Sequence, residues 1–404
     1  MKDVRAAMTK DGTPDTQAAP PSLAQVFWAF LRLGLTAFGG PAMVSYIGEM
    51  AITKKRWLSR PSFREGVAVA QTIPGATAMQ TAAYVGLRIR GVSGAAAAYI
   101  GFGLPAFLLM VGLSAVYNAT HSLPVSLSVF RGLQVVVVAI IAKAAFTFGR
   151  STVKAWPDAV IALAAAAYLA LGGNPILAIA AGAAVGLLLY KRNAGTDGSG
   201  DSHETPSLRN TTRPVLLIVL VALVGLTALF IANRRLFDLS TLMVKVDAFA
   251  FGGGFASVPV MLHDVVGVRH WMSTKTFMDG IAMGQVTPGP IVITATFVGY
   301  QVAGIGGAVL ATVCIFLPSF VILALVVPRF DCVKADPYFQ CAMKGVLASF
   351  VGLLLAVTLR FGLAVPWTPA SVLVACGAFT ALMFKVEVPW VVIPGAILSI
   401  VLFR

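Results

Sequence analysis

The sequence predicts an all-α polytopic membrane protein with two inverted-topology repeats, broken helices and about 10–13 membrane segments. The first observation is composition: 58% of the 404 residues are hydrophobic and 11% are charged, whereas a water-soluble domain carries about 25% charged residues. The second is a series of apolar runs of helix-spanning length, which favours a helical bundle over a β-barrel. The third is an internal repeat with an offset of 213 or 214 residues.

The repeat is most evident in two pairs of Gly- and Pro-containing motifs inside apolar runs. The first pair is Phe38 to Pro41 and Phe251 to Gly254, and the second pair is Gln71 to Gly75 and Gln285 to Gly289. Gly and Pro interrupt helices, and inside a membrane broken backbone is tolerated only where it is buried in protein or lines a water-filled cavity. The four breaks therefore predict one central substrate site.

The elements of the first repeat follow in order. Residues 1–22 are polar and predict a disordered cytoplasmic tail, and the first membrane repeat covers residues 23–190. The repeat is expected to contain an apolar segment at 23–50, a broken helix at about 63–88, and spans at about 93–117, 127–149, 157–171 and 174–190. Ser62 and Glu65 have the spacing of a capping box that opens the broken helix. The last two spans are short enough to form one hairpin.

The second half repeats this order after a polar linker at 191–213 and an unpaired apolar helix at 214–232. The second membrane repeat covers residues 233–404. If each repeat crosses an even number of times, the extra helix inverts the second repeat. Charge supports inversion, because Arg88 and Arg90 have no basic counterparts, whereas Arg329 and Lys385 lie in loops whose counterparts lack Lys and Arg. Whether the broken segments cross or return as re-entrant hairpins stays open at this point.

Basic residues inside apolar runs indicate an anionic substrate. Arg32 and Lys245 each lie six residues before the phenylalanine of a glycine motif, and Arg131 and Lys344 form a second candidate cation pair. A cation in the bilayer is costly and usually faces the bundle interior, although a long side chain near a helix end can also snorkel to the surface. The N-termini of half-helices at the breaks would add partial positive charge.

Polar and acidic residues near the breaks allow more than one interpretation. Gln71 and Gln285 would either donate to an oxyanion or satisfy carbonyls that the breaks leave free. Glu49 and Asp247 are candidates for proton coupling, and Asp247 is also a candidate ion partner for Lys245. Asp279 lies three residues after a threonine, which favours a helix-capping role.

Other function classes find little support. The net charge of +14 comes from short basic groups scattered between apolar runs, which indicates membrane topology and not nucleic-acid binding. The four His and four Cys are dispersed, so neither a metal site nor a cofactor is expected. The catalytic motifs G-x-S-x-G and H-E-x-x-H are absent, which disfavours a membrane enzyme, and a sensor would need an output domain that the sequence lacks.

The sequence resembles the chromate ion transporter family in its two-domain long form, over residues 23–404. The matching segments are Phe30 to Pro41, Gln71 to Gly75, Phe251 to Phe255 with Pro259, and Gln285 to Pro290. The resemblance implies export of chromate from the cytoplasm with the proton gradient, and sulfate as a competing anion. One departure is Gly75-Ala76, where the second repeat has Gly289-Pro290, so equal roles for the two repeats are in doubt.

The resemblance also implies which residues handle the substrate: Arg32, Gly39, Gly40, Gln71, Pro74, Lys245, Gly252, Gly253, Gln285 and Pro288. Their neighbours in the motifs complete the expected substrate-binding set: Phe38, Gly75, Phe251 and Gly289. The expectation is a multi-pass secondary transporter in the inner membrane that moves a small inorganic anion, with a homodimer as a candidate assembly. Sulfate or a carboxylate with Na⁺ coupling is the alternative.

Overall fold

The computed structural model describes residues 21–38, 41–190, 211–330 and 336–403, and all regular structure in these ranges is helical. The described helices of the first repeat are α1 Leu23–Thr36, α2 Pro41–Gly48, α3 Arg60–Thr72, α4 Thr77–Thr120, α5 Pro124–Thr152, α6 Trp156–Ala170 and α7 Pro175–Tyr190. The connecting helix is α8, Thr212–Ala232. Those of the second repeat are α9 Arg234–Ala248, α10 Ser257–Leu262, α11 Thr274–Val286, α12 Thr294–Val326, α13 Pro337–Ala364, α14 Pro369–Met383 and α15 Pro389–Leu402.

The helices confirm an all-α polytopic membrane protein. Five helical segments are long and apolar enough to cross a bilayer, and they contain α4, α5, α8, α12 and α13. Only 6% of the most apolar window of α8 is buried in the protein, so this connecting helix presents its surface to lipid. The shorter helices α6 and α7 pack along α13, and α14 and α15 pack along α5.

Backbone geometry repeats between the two halves at the same offset as the sequence. The positive φ of Gly75, +117°, recurs at Gly289, +158°, and that of Gly91, +63°, recurs at Gly304, +60°. After α2 and after α10 the helix continues as one π-helical turn, Glu49–Lys54 and His263–Val268. The predicted repeat is thus present in the backbone as well as in the residues.

Two of the breaks form re-entrant hairpins with sharp reversals. Gly66 on α3 faces the ring of Tyr84 on α4, which requires α3 and the first arm of α4, residues 77–89, to run antiparallel. The chain then reverses again at Gly91, because Gly86 contacts Gly94 across the turn. The second repeat has the same contacts between Gly280 and Phe297 and between Gly299 and Gly307. The residues after each reversal form the long membrane-crossing arm of α4 or α12.

The glycine-motif breaks are re-entrant as well. In the second repeat, Asp238 near the start of α9 pairs with Arg269, which follows the π turn after α10, at 3.2 Å. Both ends of this segment therefore lie at one face. In the first repeat, Arg90 Nε donates to the carbonyl of Pro21 at 2.8 Å, which places the start of α1 beside the reversal of α4. The basic loop after Lys54 opens α3 at that same end.

The contacts between repeats show that the second repeat is inverted. The end of the bundle that carries Arg60, Arg88 and Arg90 is called the basic end, and the other is called the opposite end. At the opposite end, Asn118 Oδ1 accepts from Gln301 Nε2 at 2.7 Å, beside the reversal of α12. The reversal of α4 therefore lies at the basic end and that of α12 at the opposite end, as inverted repeats require.

Two predicted details were wrong or fall outside the described residues. Helix α3 begins at Arg60 with Ser59 as its N-cap, so Ser62 does not open it as a capping box. Pro61, in the first turn of the helix, is compatible with this earlier start. The predicted tail and linker lie almost entirely outside the described residues, and so do Gly39 and Gly40. The domain boundaries stay predictions.

Candidate functional site

The described breaks of the two repeats meet in the middle of the bundle. The amide of Gly75, at the tip of the α3–α4 hairpin, donates to the carbonyl of Ala250 at 3.0 Å, in the break that follows α9. A side chain at Gly253 would lie 3.4 Å from Thr77 Oγ1, which opens α4. The 3₁₀ turn at Gly254–Ala256 packs against that at Ile291–Ile293, just after the fourth break. The site is therefore shared between repeats.

Several helix starts at the surface of the bundle are capped by side chains, whereas those described at the central breaks are not. At the surface, side chains of Ser22, Ser59, Asn233 and Ser273 accept from the first turn of their helices. At the central breaks no side chain caps the helix starts after Ala76, Gly253 and Pro290. Uncapped first-turn N–H groups carry partial positive charge and attract anions. The helix starts after Leu123 and Val388, away from the breaks, also have no side-chain cap, so the central starts are distinguished by lying next to one another.

Glycine is required at the breaks for two separate reasons. Gly252 and Gly253 have φ values of +91° and +99°, a region that L side chains rarely adopt. At Gly75 an added Cβ would also collide with the Cβ of Ser319 on α12. The half-buried Phe251 packs against the core beside this turn. The predicted glycines therefore allow the hairpin tip and the second repeat to approach each other.

The glutamines next to the breaks do not close them. Gln80, one turn into α4 and fully buried, donates to the carbonyl of Pro74 instead. Gln71 is exposed and Gln285 is half-buried, and neither side-chain amide bonds to another described residue. The two side chains thus satisfy no described backbone carbonyl, and their donation to a ligand stays a prediction. Gln80 was missed, although a glutamine inside an otherwise small and apolar arm was a usable signal.

The two predicted cations have different surroundings. Lys245 Nζ lies 2.8 Å from Asp264 Oδ2, and the two side chains are 33% and 9% exposed. The side chain of Arg32, its counterpart on α1, is exposed and has no hydrogen bond or ion pair with any described residue. The first repeat has Met50 where the second has Asp264. Of these two cations, Arg32 is therefore the one whose charge is not neutralised by a described acidic residue.

Asp247 does not pair with Lys245 but lies in a separate buried cluster. Its side chain is fully buried, and its Oδ2 accepts from the backbone N–H of Ser319 at 2.7 Å. Ser319 Oγ in turn bonds to Tyr99 Oη at 3.0 Å. Glu49, the other candidate for proton coupling, pairs with Lys54 at 3.1 Å, and both of these side chains are more than half exposed.

Arg131 and Lys344 are not brought together. Lys344 lies near the start of α13 at the basic end, with Nζ 5.6 Å from the ring of Tyr190. Arg131 is exposed on the first half of α5 and precedes Gly132, which packs against Ser399 near the opposite end. Inversion of the second repeat separates residues that are equivalent in sequence, so this pair is not a single site.

A cavity of about 290 Å³ opens near the opposite end between the two repeats. Its polar lining includes His263 and Arg360, and the rest is largely apolar, with Leu169 at the end of α6 and Leu262 at the end of α10. His263 immediately precedes Asp264, the partner of Lys245. The cavity therefore borders the ion pair of the second repeat. The sequence did not predict a role for either polar residue. Arg360 has no basic counterpart in the first repeat, so the repeat did not indicate it.

Asp279 also has a role that the sequence did not predict. The N-cap of α11 is Ser273, so Asp279 is not a cap. Its carboxylate is buried and accepts from Tyr117 Oη at 3.0 Å and from Gln134 Nε2 at 2.8 Å, both in the first repeat. These hydrogen bonds link α11, in the hairpin of the second repeat, to α4 and α5.

Comparisons with known proteins agree with this architecture. The sequence profile described as chromate transporter matches residues 24–187 and 237–400, once in each repeat. An uncharacterized transporter of Methanocaldococcus jannaschii is 42% identical over 94% of both chains. Chromate transport proteins of Pseudomonas aeruginosa and Cupriavidus metallidurans are 32% and 30% identical, over 88% and 98% of this chain and 85% and 99% of their own. No solved structure matches the chain significantly.

Proposed function

The chain belongs to the chromate transporter family, and from this premise we propose that it is a secondary transporter that exports chromate across the inner, cytoplasmic membrane, driven by the proton gradient. The observation that carries the proposal is the family match in both repeats, with relatives named as chromate transport proteins over most of their length. The relatives are transporters, and no catalytic chemistry is assigned to this chain.

The geometry at the breaks supports an anion as the substrate. Uncapped helix starts after Ala76 and Pro290 meet near the middle of the bundle, and Arg32 supplies a free positive charge one turn before the first break. Chromate and sulfate are both tetrahedral divalent oxyanions, so the amides of Gln71 and Gln285 have acceptor oxygens to bond. The remaining break residues, among them Pro288 and Gly289, shape the backbone and need no contact with the anion.

The charge distribution supports an orientation of the protein in the membrane. The basic end carries Arg60, Arg88 and Arg90 and faces the cytoplasm by the positive-inside rule. An exported anion would then leave through the opposite end, where Arg360 and His263 line the cavity of about 290 Å³. Alternating access would move the two pairs of hairpins about the shared centre.

Sulfate export or a Na⁺-coupled carboxylate carrier is the alternative function. The same uncapped helix starts attract any anion, so geometry alone favours no single one. Competition separates the candidates: sulfate should inhibit chromate transport, whereas inhibition by citrate and not by sulfate would overturn the oxyanion assignment. A homodimer stays a prediction.

The proposal is tested by expressing the chain in a chromate-sensitive bacterium and measuring chromate accumulation with and without a protonophore. Cells that express the chain should accumulate less chromate than cells that do not, and the protonophore should abolish this difference. Unchanged accumulation, with the protein verified in the membrane, would contradict chromate export and direct the search to other oxyanions.

A further inference from the structure

We propose that Asp247 is the proton-binding group of the transport cycle and that its protonation controls the contact between the α3–α4 hairpin tip and the second repeat. This inference rests on the proposed function for its coupling to an anion. The binding of a proton at Asp247 is a property of the fold and can be measured without a substrate.

One of the two oxygens of the buried Asp247 carboxylate has no hydrogen-bond partner among the described residues. Its Oδ2 accepts from the Ser319 amide at 2.7 Å, whereas Oδ1 has no hydrogen-bond partner in the described structure and almost no accessible surface. An ionised carboxylate that is buried without full pairing is very costly, and such a group neutralises by taking up a proton. The unpartnered oxygen is the place where that proton would bind.

No cation among the described residues pairs with Asp247 to relieve this cost. The titratable group that faces Asp247 from another helix is Tyr99 on α4, whose hydroxyl bonds to Ser319 Oγ and to the carbonyl of Phe316. Lys245, on the same helix as Asp247, is bonded to Asp264. A proton also needs no space, whereas a metal ion would need several oxygen ligands around an atom that is already enclosed.

Asp247 is linked through Ser319 to the tip of the α3–α4 hairpin. Ser319, which bonds to Asp247, also contacts the hairpin tip at Gly75. The Gly75 amide in turn bonds to Ala250, three residues after Asp247. A charged carboxylate accepts a stronger hydrogen bond than a neutral one. Protonation would therefore weaken the bond to Ser319 and release the tip, whereas deprotonation would tighten it.

Among the described residues, the first repeat has no carboxylate at the position equivalent to Asp247. Gly34 takes the place of Asp247 in the first repeat, and an added Cβ there would collide with the carbonyl of Phe102. Ala106 takes the place of Ser319. The close packing of α1 against α4 leaves no room for a carboxylate in the first repeat. The coupling role is thus restricted to the second repeat.

The transport test uses purified protein in proteoliposomes and compares wild type with Asp247→Asn. We expect the variant to exchange chromate or sulfate across the membrane without a gradient, as wild type does, but to lose accumulation driven by a pH gradient. Asp279→Asn is the matched control, since that carboxylate is buried but bonded at both oxygens, and it should keep gradient-driven accumulation. Gradient-driven accumulation equal to wild type in Asp247→Asn would overturn the inference.

A second measurement separates this inference from the proposed function. Acid–base infrared difference spectra of wild type should contain a protonated-carboxyl band that Asp247→Asn lacks, whatever anion the protein moves. Identical spectra would overturn the assignment, while a wild type that moves neither anion would contradict the proposed function alone. If Asp247→Asn does not fold, Asp247→Glu should keep a carboxyl band at a shifted position and pH midpoint, and unshifted values would overturn the inference.

Discussion

Replacing Lys245 tests whether the two repeats use their cations differently. In Lys245→Gln, Asp264 keeps its charge at 9% side-chain exposure and loses its partner at 2.8 Å. Removing one member of a fully buried ion pair costs about 3–5 kcal/mol, but one third of the lysine side chain is exposed, so we expect about 2 kcal/mol. With an unfolding entropy of about 2.1 cal/mol/K per residue over 404 residues, this loss lowers Tm by roughly 2–3 °C.

The same reasoning predicts a double-mutant cycle that can be followed by thermal unfolding in detergent. Lys245→Gln combined with Asp264→Met, which introduces the residue found at the equivalent position 50 of the first repeat, should recover most of the lost stability, because no buried charge is left unpaired. Arg32→Gln should leave Tm within about 0.5 °C of wild type, since the Arg32 side chain bonds to no other described residue. Additive losses in the double mutant, or a Tm loss in Arg32→Gln as large as that in Lys245→Gln, would refute the reasoning.

Three further predictions concern the hairpin tip, the cavity and the contact between repeats. Gly75→Ala should sharply lower the folded yield on size-exclusion chromatography, because it adds a collision to an unfavourable backbone conformation, whereas Gly91→Ala, which has a positive φ but open space around it, should cost about 1–3 kcal/mol of backbone strain alone. Arg360→Gln should raise the KM for the anion, and Lys344→Gln, at the basic end, should not; equal effects would contradict a role for the cavity. Tyr117→Phe removes a hydrogen bond to a buried carboxylate and should lower stability by about 1.5–3 kcal/mol, with an unchanged Tm counting against that bond.

The elements that the sequence predicted correctly depend on local chemistry. Glycine and proline break helices wherever they occur, so the breaks at Gly75 and Gly289 follow from the residues themselves. The unpaired helix and the distribution of Lys and Arg determine the inversion without any knowledge of packing. The offset of 213 or 214 residues ties equivalent elements together, down to the matching reversals at Gly91 and Gly304.

The side-chain partners could not be predicted because they depend on how the hairpins fold back. Asp264 reaches Lys245 only because α9 and the segment after it run antiparallel, and Asp247 bonds to a residue 72 positions away. The expected pairing of Lys245 with Asp247 assumed that neighbours in sequence face each other, which residues two apart on a helix do not. The capping role predicted for Asp279 also rested on sequence spacing alone, whereas its bonding partners, Tyr117 and Gln134, lie in the other repeat.

Arg32 and the uncapped helix starts of the breaks are proposed to bind a tetrahedral oxyanion. The most direct test measures chromate exchange by purified wild type and Arg32→Gln in proteoliposomes, with Lys344→Gln as a charge-matched control. Wild type and Lys344→Gln should exchange chromate in a way that sulfate inhibits, and Arg32→Gln should lose exchange at unchanged Tm. Exchange by Arg32→Gln at the wild-type rate and KM would contradict binding of the anion by Arg32.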